Sequence, residues 1–460
     1  MTSGKIIKFF LIIFFIFINH SYSDNHDIPL ELDRQNPDDG FTFADAPNSA
    51  AAKYISSLGF KVGANERPDG SIVFFSAGEG SSSVDNDSPT IHDARYAAYN
   101  RAVLKAKEEY VKFLGVRVRT SMSNIIKENT MNNLPPEQII EKAVNQSIKP
   151  DEPGITDKFV KLLNLKLDKE LKKEGYDPNA PKEKKQEILK KVVQSNRWKK
   201  ITEMSGQTTM SGFQILTTFE QKNAGDRPFF TVVGLWSPKL NQLAKAIKSK
   251  NFTSLPKGTP AKPVADQIPK KASELIGSFG AKMYVNENGQ RVILSYGIGT
   301  PLKENRRDLL NNACSQAYTR AVEQIAYFVN ESVLYEEKFG EEDVSEDSIK
   351  DGNEQYLGVQ GRDWYKKVAS SAELDPTSFE TIILNKGTER ESDSAVIPPN
   401  PTFNRSACIK VVMWSPSGQT MSNSAKNQMQ QNSGSSNSGG SSNKSFAPRQ
   451  GAAGSRDFWF

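Results

Sequence analysis

Two segments of the chain carry runs of apolar residues that end in Gly-x-Gly. They are Ile72–Gly80 and Val292–Gly299. An apolar run of this length predicts a buried strand, and the closing glycines predict a tight turn. After each run, alanines recur every four residues, which predicts a stripe of small side chains along a long helix. The alanines are Ala94, Ala98, Ala102 and Ala106 in the first case, and Ala313, Ala317 and Ala321 in the second.

Two further segments with strand character follow each predicted helix. They are Phe213–Glu220 and Phe229–Trp236 after the first helix, and Phe379–Leu384 and Ala407–Trp414 after the second. Each unit therefore has the predicted order short helix, strand, Gly-x-Gly turn, long helix and returning strands. Strands gathered around one or two helices predict an α+β fold.

The two units align as an internal repeat. A single constant offset pairs Gly78 with Gly297 and also pairs the helix motif Ala-Tyr-x-Arg-Ala-Val of the two copies. An ungapped match across strand, loop and helix indicates two tandem copies of one domain. The closing Trp-Ser-Pro motifs match at a smaller offset, which indicates an insertion in the first copy. The paired positions are Gly78 and Gly80 with Gly297 and Gly299, Tyr99 and Arg101 with Tyr318 and Arg320, and Trp236 with Trp414.

This arrangement of strand, Gly-x-Gly, Ala-rich helix with an internal Arg, and returning strand pair resembles a known domain type. It is similar to the small α+β domain of LPP-type surface lipoproteins and to the N-terminal domain of the flagellar envelope protein FlgT. The resemblance covers residues 50–122 with 205–245, and 270–335 with 375–416. It implies a non-enzymatic envelope protein that assembles around or beside a larger machine. The chain departs from the lipoproteins because no lipid-attachment Cys follows the N-terminal apolar run.

The N-terminal residues predict export. Lys5 and Lys8 precede the apolar run Phe9–Ile18, and Ser21 and Ser23 offer small residues for cleavage. A ten-residue apolar run is short for a membrane span and typical of a secretory signal, although an uncleaved anchor helix is the alternative. We expect a periplasmic or cell-envelope protein without an integral membrane span after cleavage.

Changes in amino-acid composition along the chain predict the domain organisation. We expect a signal peptide at 1–23, a flexible N-terminus at 24–49, a first repeat at 50–250 with a helical hairpin inserted at 150–202, and a linker at 251–269. A second repeat follows at 270–416. The tail at 417–460 is rich in Ser, Asn, Gln and Gly, so it buries too little apolar surface to offset its ordering entropy and is predicted to be disordered.

Composition argues against catalysis. The chain of 460 residues holds three histidines and two cysteines, and no cluster has the spacing of metal ligands. The Gly-x-Gly segments lack the third glycine of the dinucleotide fingerprint, so we expect no cofactor. A formal net charge of +5 is too small to indicate a nucleic-acid partner.

Several paired residues have structural and functional interpretations. Arg101 and Arg320 share one helix position, so they are predicted to reach a strand-end carbonyl or a carboxylate, with ligand binding as the alternative. Trp236 and Trp414 are predicted to anchor the end of the last strand, with an exposed binding surface as the alternative. Cys314 is on the second long helix and Cys408 in its closing strand, so the two are a disulfide candidate, with two buried thiols as the alternative.

Charge separates along the chain. In 157–200 lysine and arginine outnumber aspartate and glutamate by fourteen to seven, whereas 336–354 holds nine acidic residues and two lysines. Solvated faces are the simplest interpretation; a contact between copies or subunits is the alternative. The candidate partner-binding residues are Lys172, Lys173, Lys184 and Lys185 on the basic hairpin, and Phe458, Trp459 and Phe460 at the aromatic tip of the tail.

The sequence therefore predicts a non-catalytic structural or adaptor subunit of a bacterial cell-envelope assembly, of secretion, pilus or flagellar type. Its expected partners are envelope proteins, including further copies of itself. The first alternative is a binding module that holds a small anionic or cell-wall ligand between the repeats. The second alternative is a hydrolase with an unrecognised carboxylate site.

Overall fold

A computed structural model describes residues 47–128, 134–148, 157–206, 209–222, 227–270, 275–339, 374–384 and 405–420, apart from positions 69, 83, 86, 87, 256 and 375. The predicted signal, the acidic segment beyond residue 339 and the aromatic tip lie outside these residues. The predicted flexible N-terminus overlaps the first helix, which begins at Pro47.

The first repeat contains one sheet and seven helices within the described residues. Its elements are α1 (Pro47–Ser57), β1 (Gly63–Glu66), β2 (Ile72–Ser81), α2 (Ile91–Glu128), α3 (Pro136–Ile148), α4 (Asp157–Lys173), α5 (Lys182–Gln194), α6 (Asn196–Gly206), β3 (Gln214–Lys222), β4 (Pro228–Trp236) and α7 (Pro238–Lys248). The predicted hairpin is α4 and α5, which turn at Gly175 with a φ of +75°. It belongs to a larger set of four helices, α3–α6, where the sequence predicted two.

The second repeat follows a connection that packs on the protein. This connection holds the short helix α8 (Val264–Gln267), and its Phe252 ring lies edge-on to Trp414 at 5.8 Å. The repeat contains β5 (Gly280–Val285), β6 (Arg291–Gly299), α9 (Arg307–Phe339), β7 (Thr377–Leu384) and β8 (Ala407–Trp414).

The two sheets have the same topology, which confirms the α+β fold of two tandem repeats. Both are four-stranded and antiparallel, in the orders β1-β2-β4-β3 and β5-β6-β8-β7. The similarity of the two sheets includes a break in the register of their strand pairing. The register shifts between Ile215 and Thr217 in β3, and between Ser378 and Glu380 in β7, opposite equivalent residues of β4 and β8. Such a bulge bends one strand over its partner, so both sheets have the same local distortion.

The Gly-x-Gly motifs lie inside strands, so the predicted turn is wrong in both repeats. Gly78 and Gly80 lie within β2 and pair with Val232 and Phe230 of β4. A Cβ atom on either glycine would overlap the backbone of the long helix, at Ala102 for Gly78. Gly297 meets Ala317 in the same way. The glycines and the alanine stripe are two sides of one contact, which lets the helix backbone lie directly on the strand.

The first long helix continues past Gly115, although glycine is the residue type that most often ends a helix. Gly115 lies within α2, and a Cβ there would be 2.9 Å from the backbone nitrogen of Glu203 on α6. This glycine therefore admits a second helix at close range. The last third of α2, beyond Gly115, supports the helical insertion, with Ser121 near Ser147 of α3.

The Trp-Ser-Pro motif ends a strand and also starts a helix. In the first repeat Ser237 caps α7 by accepting a hydrogen bond from the backbone N–H of Leu240 at 3.2 Å, and Pro238 takes the first helical position. In the second repeat Ser415 accepts one from Gly418 at 3.1 Å, and residues 416–420 are helical. The predicted tail, from residue 417, therefore begins inside this helix.

The two repeats share their apolar core. Each of the two clusters of buried apolar residues contains side chains from both repeats, for example Phe74 with Leu294, and Phe75 with Val412. One face of the first sheet lies under α2, while α1 and α7 cover the other. Burial of this kind is not directional, so specific polar contacts must fix how one repeat meets the other.

Candidate functional site

A buried ion pair lies where the two repeats meet. Arg95 on α2 donates to both carboxylate oxygens of Glu220 on β3, at 2.8 and 2.6 Å, and both side chains are almost fully buried. Its guanidinium also donates to the backbone carbonyl of Ile276, at 2.9 Å, and stacks over the ring of Phe279 at 5.2 Å. The bidentate geometry suits a guanidinium, and the contacts with residues 276 and 279 link the first repeat to the second.

His92 extends this cluster as a neutral imidazole. It is fully buried, and its Nδ1 lies 3.3 Å from Arg95 Nη1, which can donate only to an unprotonated nitrogen. Its Nε2 therefore carries the hydrogen and donates to the carbonyl of Arg405, at 3.3 Å. Burial, followed by the charge of Arg95, lowers the pKa of His92 to about 3. The ring therefore connects the repeats as a dipole, without a charge.

In the second repeat, a disulfide joins the helix position equivalent to Arg95 to a position on the closing strand. The offset that pairs Gly78 with Gly297 also pairs Arg95 with Cys314. The offset of the closing Trp-Ser-Pro motifs likewise pairs Phe230 with Cys408. Arg95 lies over the Phe230 ring at 5.9 Å in the first repeat, and Cys314 and Cys408 form a disulfide in the second. Both repeats therefore join the first third of the long helix to the closing strands, by an ion pair in one and a covalent bond in the other.

Sequence reasoning missed Arg95 and Glu220. The signal that could have found Arg95 was the repeat itself, because its counterpart is the candidate cysteine Cys314. Nothing along the chain marked Glu220, whose counterpart in β7 is Ile383. Its role depends on the strand pairing that brings it opposite Phe230.

The paired arginines make the contacts that their shared position predicted. Arg101 Nη2 donates to the carbonyl of Ser81 at 2.5 Å, and Arg320 Nη1 donates to that of Ile298 at 2.6 Å. Arg320 also pairs with Asp93 of the first repeat at 2.8 Å. Each arginine therefore fixes its helix to the end of the strand below it, and Arg320 adds a link between repeats.

The paired aromatic residues serve packing. Tyr99 is fully buried and stacks on Phe279 of the second repeat at 5.2 Å, while the hydroxyl of Tyr318 donates to the carbonyl of Pro376 at 3.2 Å. Trp236 and Trp414 are each 1% exposed. The indole of Trp236 donates to the carbonyl of Thr209 at 2.8 Å, and that of Trp414 to the side chain of Gln419 at 3.1 Å. Neither tryptophan offers an exposed binding surface.

A groove with a volume of about 460 Å³ lies at the far end of α2, within the helical insertion. We call it the hairpin groove. Its walls come from the end of α2, the start of α3, the second half of α4 and the start of α5. The lining residues are Ile126, Leu134, Pro135, Pro136, Glu137, Ile139, Asp168, Leu171, Lys172, Tyr176, Pro178, Lys182, Lys185, Gln186 and Leu189.

The hairpin groove combines an apolar floor with a charged rim. Leu171 and Leu189 are buried through the amphipathic periodicity of α4 and α5, which turns one face of each helix inward. Three lysines and two carboxylates stand around this floor. Burial, followed by the nearby charge of Glu137, raises the pKa of Asp168. An apolar floor with few polar groups at its edge is typical of a binding site.

The four lysines proposed for partner binding divide between two surfaces. Lys172 and Lys185 line the hairpin groove, and Lys185 Nζ donates to the carbonyl of Pro178 at 3.2 Å. Lys173 pairs with Glu170 at 3.2 Å, outside the groove lining. Lys184 is exposed on α5 and is also outside that lining. Phe458, Trp459 and Phe460 lie outside the described residues.

Two negative findings apply to the described ranges alone. Within them, no three or more His, Cys, Asp or Glu side chains are grouped to hold a metal ion. No helix in that part of the chain combines the length and apolar character needed to cross a bilayer.

Comparison with known proteins gives one family match. The model of the family described as "Domain of unknown function (DUF6844)" matches residues 153–249, which span α4 to α7 and include the helices α4 and α5 of the hairpin groove. A search of curated proteins gives no match. A 2.3 Å crystal structure of a hypothetical protein from Francisella tularensis aligns over 75% of this chain and 84% of its own, with 16% identity and a TM-score of 0.39. A likeness at this level carries no argument about fold or function.

Proposed function

We propose that this protein is a non-catalytic structural or adaptor subunit of a bacterial cell-envelope assembly, and that it binds a protein partner in the hairpin groove. The observation that carries the proposal is the apolar floor between α3, α4 and α5 with Lys172, Lys182 and Lys185 at its edge. A partner segment with acidic residues beside apolar ones would match this surface, because lysines steer acidic groups and the floor buries apolar side chains.

A strong link between helix and sheet within each repeat supports an adaptor role. Arg95 and Glu220 in the first repeat, and the Cys314–Cys408 disulfide in the second, hold each long helix on its sheet. The helices around the hairpin groove pack on α2, so a force applied at the groove is transmitted through α2 to the core that the two repeats share. A rigid support of this kind places a binding surface at a fixed distance from the rest of an assembly.

Export is supported by two independent features. The N-terminal basic residues and the apolar run after them are typical of a secretory signal. The disulfide is a bond that persists in oxidising compartments such as the bacterial periplasm. Sequencing the N-terminus of protein recovered from the envelope fraction tests this part, with Asp24 as the expected first residue.

The rim favours a protein segment over a small anion. Glu137 and Asp168 stand in the same groove as the lysines and would repel a compact anion bound to them. A peptide can place its acidic groups near the lysines and its remaining groups elsewhere. The space between the repeats, where a small ligand was the alternative, holds the packed side chains of Arg95, Tyr99 and Phe279.

A second candidate function is hydrolysis, which would depend on the carboxylates of Glu137 and Asp168 in the hairpin groove. A raised pKa is a property of catalytic acids, and Asp168 has one because of burial and of Glu137. The Asp168→Asn variant separates the two functions. A hydrolase would lose turnover of cell-wall fragments, whereas an adaptor would keep its partners.

Site-specific photocrosslinking in intact cells tests the adaptor role. A photoreactive residue replaces Gln186, which lines the groove, and the matched control replaces Lys184, which lies outside its lining on the same helix. We expect envelope proteins to be captured at 186, and the Lys172→Glu/Lys185→Glu background to reduce this capture most at low salt, because salt screens charge pairs over about 8–10 Å. Equal capture at 184 and 186, unaffected by charge reversal, would contradict the proposal.

A further inference from the structure

The contact between the two repeats joins two different surfaces. The first repeat contributes the β3 edge of its sheet and the start of α2, and the second contributes β5 and the residues just before it. Phe279 anchors this contact: it is 1% exposed and stacks on Tyr99 at 5.2 Å. Because the two surfaces differ, each repeat also has a counterpart of the surface that the other uses. These counterparts lie at β1 and β7, the outer edges of the two sheets.

The first counterpart is the segment of residues 58–66, which we call the N-terminal edge. It contains β1, which ends the first sheet as β5 ends the second. Gly59 precedes β1 as Gly280 begins β5, and both have a positive φ, +82° and +73°, so the chain bends in the same way at the two positions. A Cβ at Gly280 would overlap the hydroxyl of Tyr99, whereas no atom of the described residues lies within 4 Å of one at Gly59. The space that the first repeat fills at Gly280 is therefore open at Gly59.

The second counterpart is β7 with the first third of α9, which we call the C-terminal edge. β7 ends the second sheet as β3 ends the first. In β3, Phe219 and Glu220 are buried, and the apolar cluster around Phe219 includes Met283 of the second repeat. At the same two positions of β7, Ile382 is partly buried and Ile383 is 49% exposed. An isoleucine is thus exposed where the second repeat covers a glutamate, which is typical of a surface that another molecule covers.

The C-terminal edge also has the counterpart of the site that holds Phe279. Phe279 packs against three side chains of the first repeat, namely Arg95, Tyr99 and Phe230. The repeat offsets place the disulfide and a tyrosine at these three positions of the second repeat, as Cys314, Tyr318 and Cys408. Cys314 and Tyr318 are partly exposed, and so is Leu58, the counterpart of Phe279 on the N-terminal edge. One edge therefore offers an apolar side chain, and the other offers sulfur and an aromatic ring to receive it.

The ion pairs at the contact between repeats are not repeated at these edges. Asp93, which pairs with Arg320 at 2.8 Å, has Asn312 as its counterpart, and Glu220 has Ile383. A contact between the two edges therefore depends mainly on apolar burial. It also lacks the covalent tether that raises the effective concentration of one repeat around the other. We expect it to be weaker than the contact within the chain and to depend on protein concentration.

We propose that copies of this protein associate head to tail, with the N-terminal edge of one copy packed on the C-terminal edge of the next. Leu58 enters the site formed by Tyr318 and the disulfide, and Val62, which is 50% exposed, packs against the apolar residues of β7. The contact is heterologous, so each added copy presents a new C-terminal edge, and the series continues or closes into a ring. The hairpin groove lies on neither edge, so its partner and a neighbouring copy bind at separate surfaces.

Sedimentation velocity of the purified, oxidised full chain tests the proposal. We expect dimers and larger species whose share rises with concentration. Val62→Glu and Ile383→Glu should each raise the apparent Kd of this association at least about tenfold, because the contact would then bury a carboxylate without a partner. A protein that stays monomeric over the whole concentration series would overturn the proposal.

Mixing the two variants distinguishes a head-to-tail contact from a two-fold one. The Val62→Glu copy keeps an intact C-terminal edge, and the Ile383→Glu copy keeps an intact N-terminal edge. The mixture should therefore form a dimer and nothing larger, which also shows that both variants are folded. Association that is lost in Ile383→Glu but retained in Val62→Glu would show a symmetric contact through β7 and contradict the proposal.

Two other exposed apolar residues provide matched controls. Val116 on α2 and Leu165 on α4 are 44% and 51% exposed and lie on neither edge. Val116→Glu and Leu165→Glu add the same charge, so they should leave the association unchanged. A loss as large as that of the edge variants would mean that net charge or general stickiness, and not the two edges, governs it.

Photocrosslinking identifies the surfaces in contact. A photoreactive residue replaces Val62 in an equal mixture of chains with natural nitrogen and with ¹⁵N. We expect crosslinked peptide pairs of mixed isotope that join position 62 to β7 or to the first third of α9. Pairs of a single isotope alone, or mixed pairs that join position 62 to other parts of the chain, would refute the assignment of the edges.

Discussion

Replacing Arg95 by Met should destabilise the protein strongly, although it removes no charge from the surface. The substitution leaves the carboxylate of Glu220 buried at 4% side-chain exposure, without the two hydrogen bonds it accepts from the guanidinium. It also removes the donor to the carbonyl of Ile276 in the second repeat. The free energy of unfolding should therefore fall, and the coupling between repeats should weaken.

The magnitude follows from the cost of an isolated buried charge. Removing one partner of a buried pair costs about 3–5 kcal/mol, whereas replacing both partners by apolar residues is often nearly neutral. Glu220→Ile introduces the side chain that the second repeat carries at the equivalent position, Ile383. The double variant Arg95→Met/Glu220→Ile removes the buried carboxylate but leaves the carbonyl of Ile276 and Nδ1 of His92 without the hydrogen bonds that Arg95 donates, at about 1–3 kcal/mol for each acceptor. It should therefore be more stable than Arg95→Met, which loses the same two hydrogen bonds and also leaves the carboxylate of Glu220 unpaired.

Urea unfolding followed by tryptophan fluorescence measures these differences. Trp236 and Trp414 are buried at the ends of the two closing strands and report on the two repeats. We expect each single variant to lose about 3–5 kcal/mol, and the double variant to recover part of this loss. Additive losses in the double variant would refute the reasoning, because they would show that neither charge depends on the other.

Three further predictions follow from the packing, the imidazole and the disulfide. Gly78→Ala should cost at least about 1–3 kcal/mol in thermal or urea unfolding because its Cβ overlaps a helix backbone, whereas Gly206→Ala, whose nearest neighbour is a side-chain atom at 3.4 Å, should cost much less. The pKa of His92 falls from 6.5 to about 3 on folding, so only the unfolded state takes up a proton between these values and stability decreases as pH falls. His92→Asn should remove up to about 1.4 kcal/mol per pH unit of this dependence, measured as the difference between the two unfolding curves from pH 7 to 4. Thiol titration of denatured, unreduced protein should find no free thiol at Cys314 and Cys408, and reduction should cost about 4–5 kcal/mol for a separation of 94 residues, with two titratable thiols before reduction as the contrary result.

The sequence alone determined the repeat, the fold class and most strand positions. The apolar runs are local patterns, and the constant offset that pairs Gly78 with Gly297 shows the same pattern twice in the chain. Both copies keep the pattern because each must bury the same faces of its strands and its long helix. The strand Ala407–Trp414 was predicted with the bounds that the structure has. Charge patterning likewise predicts a basic helical hairpin where α4 and α5 lie.

Only the tertiary structure decided what several of these residues do. Gly78 predicts a turn when considered along the chain, and it becomes a helix contact only when Ala102 is brought above it. The hairpin groove exists because α3, which the charge pattern did not mark, closes over α4 and α5. Arg95 and Glu220 are 125 residues apart in the chain, and their pairing follows from the strand register. A sequence records which side chains favour burial, but the free energy of a buried polar group depends on partners that folding alone brings within reach.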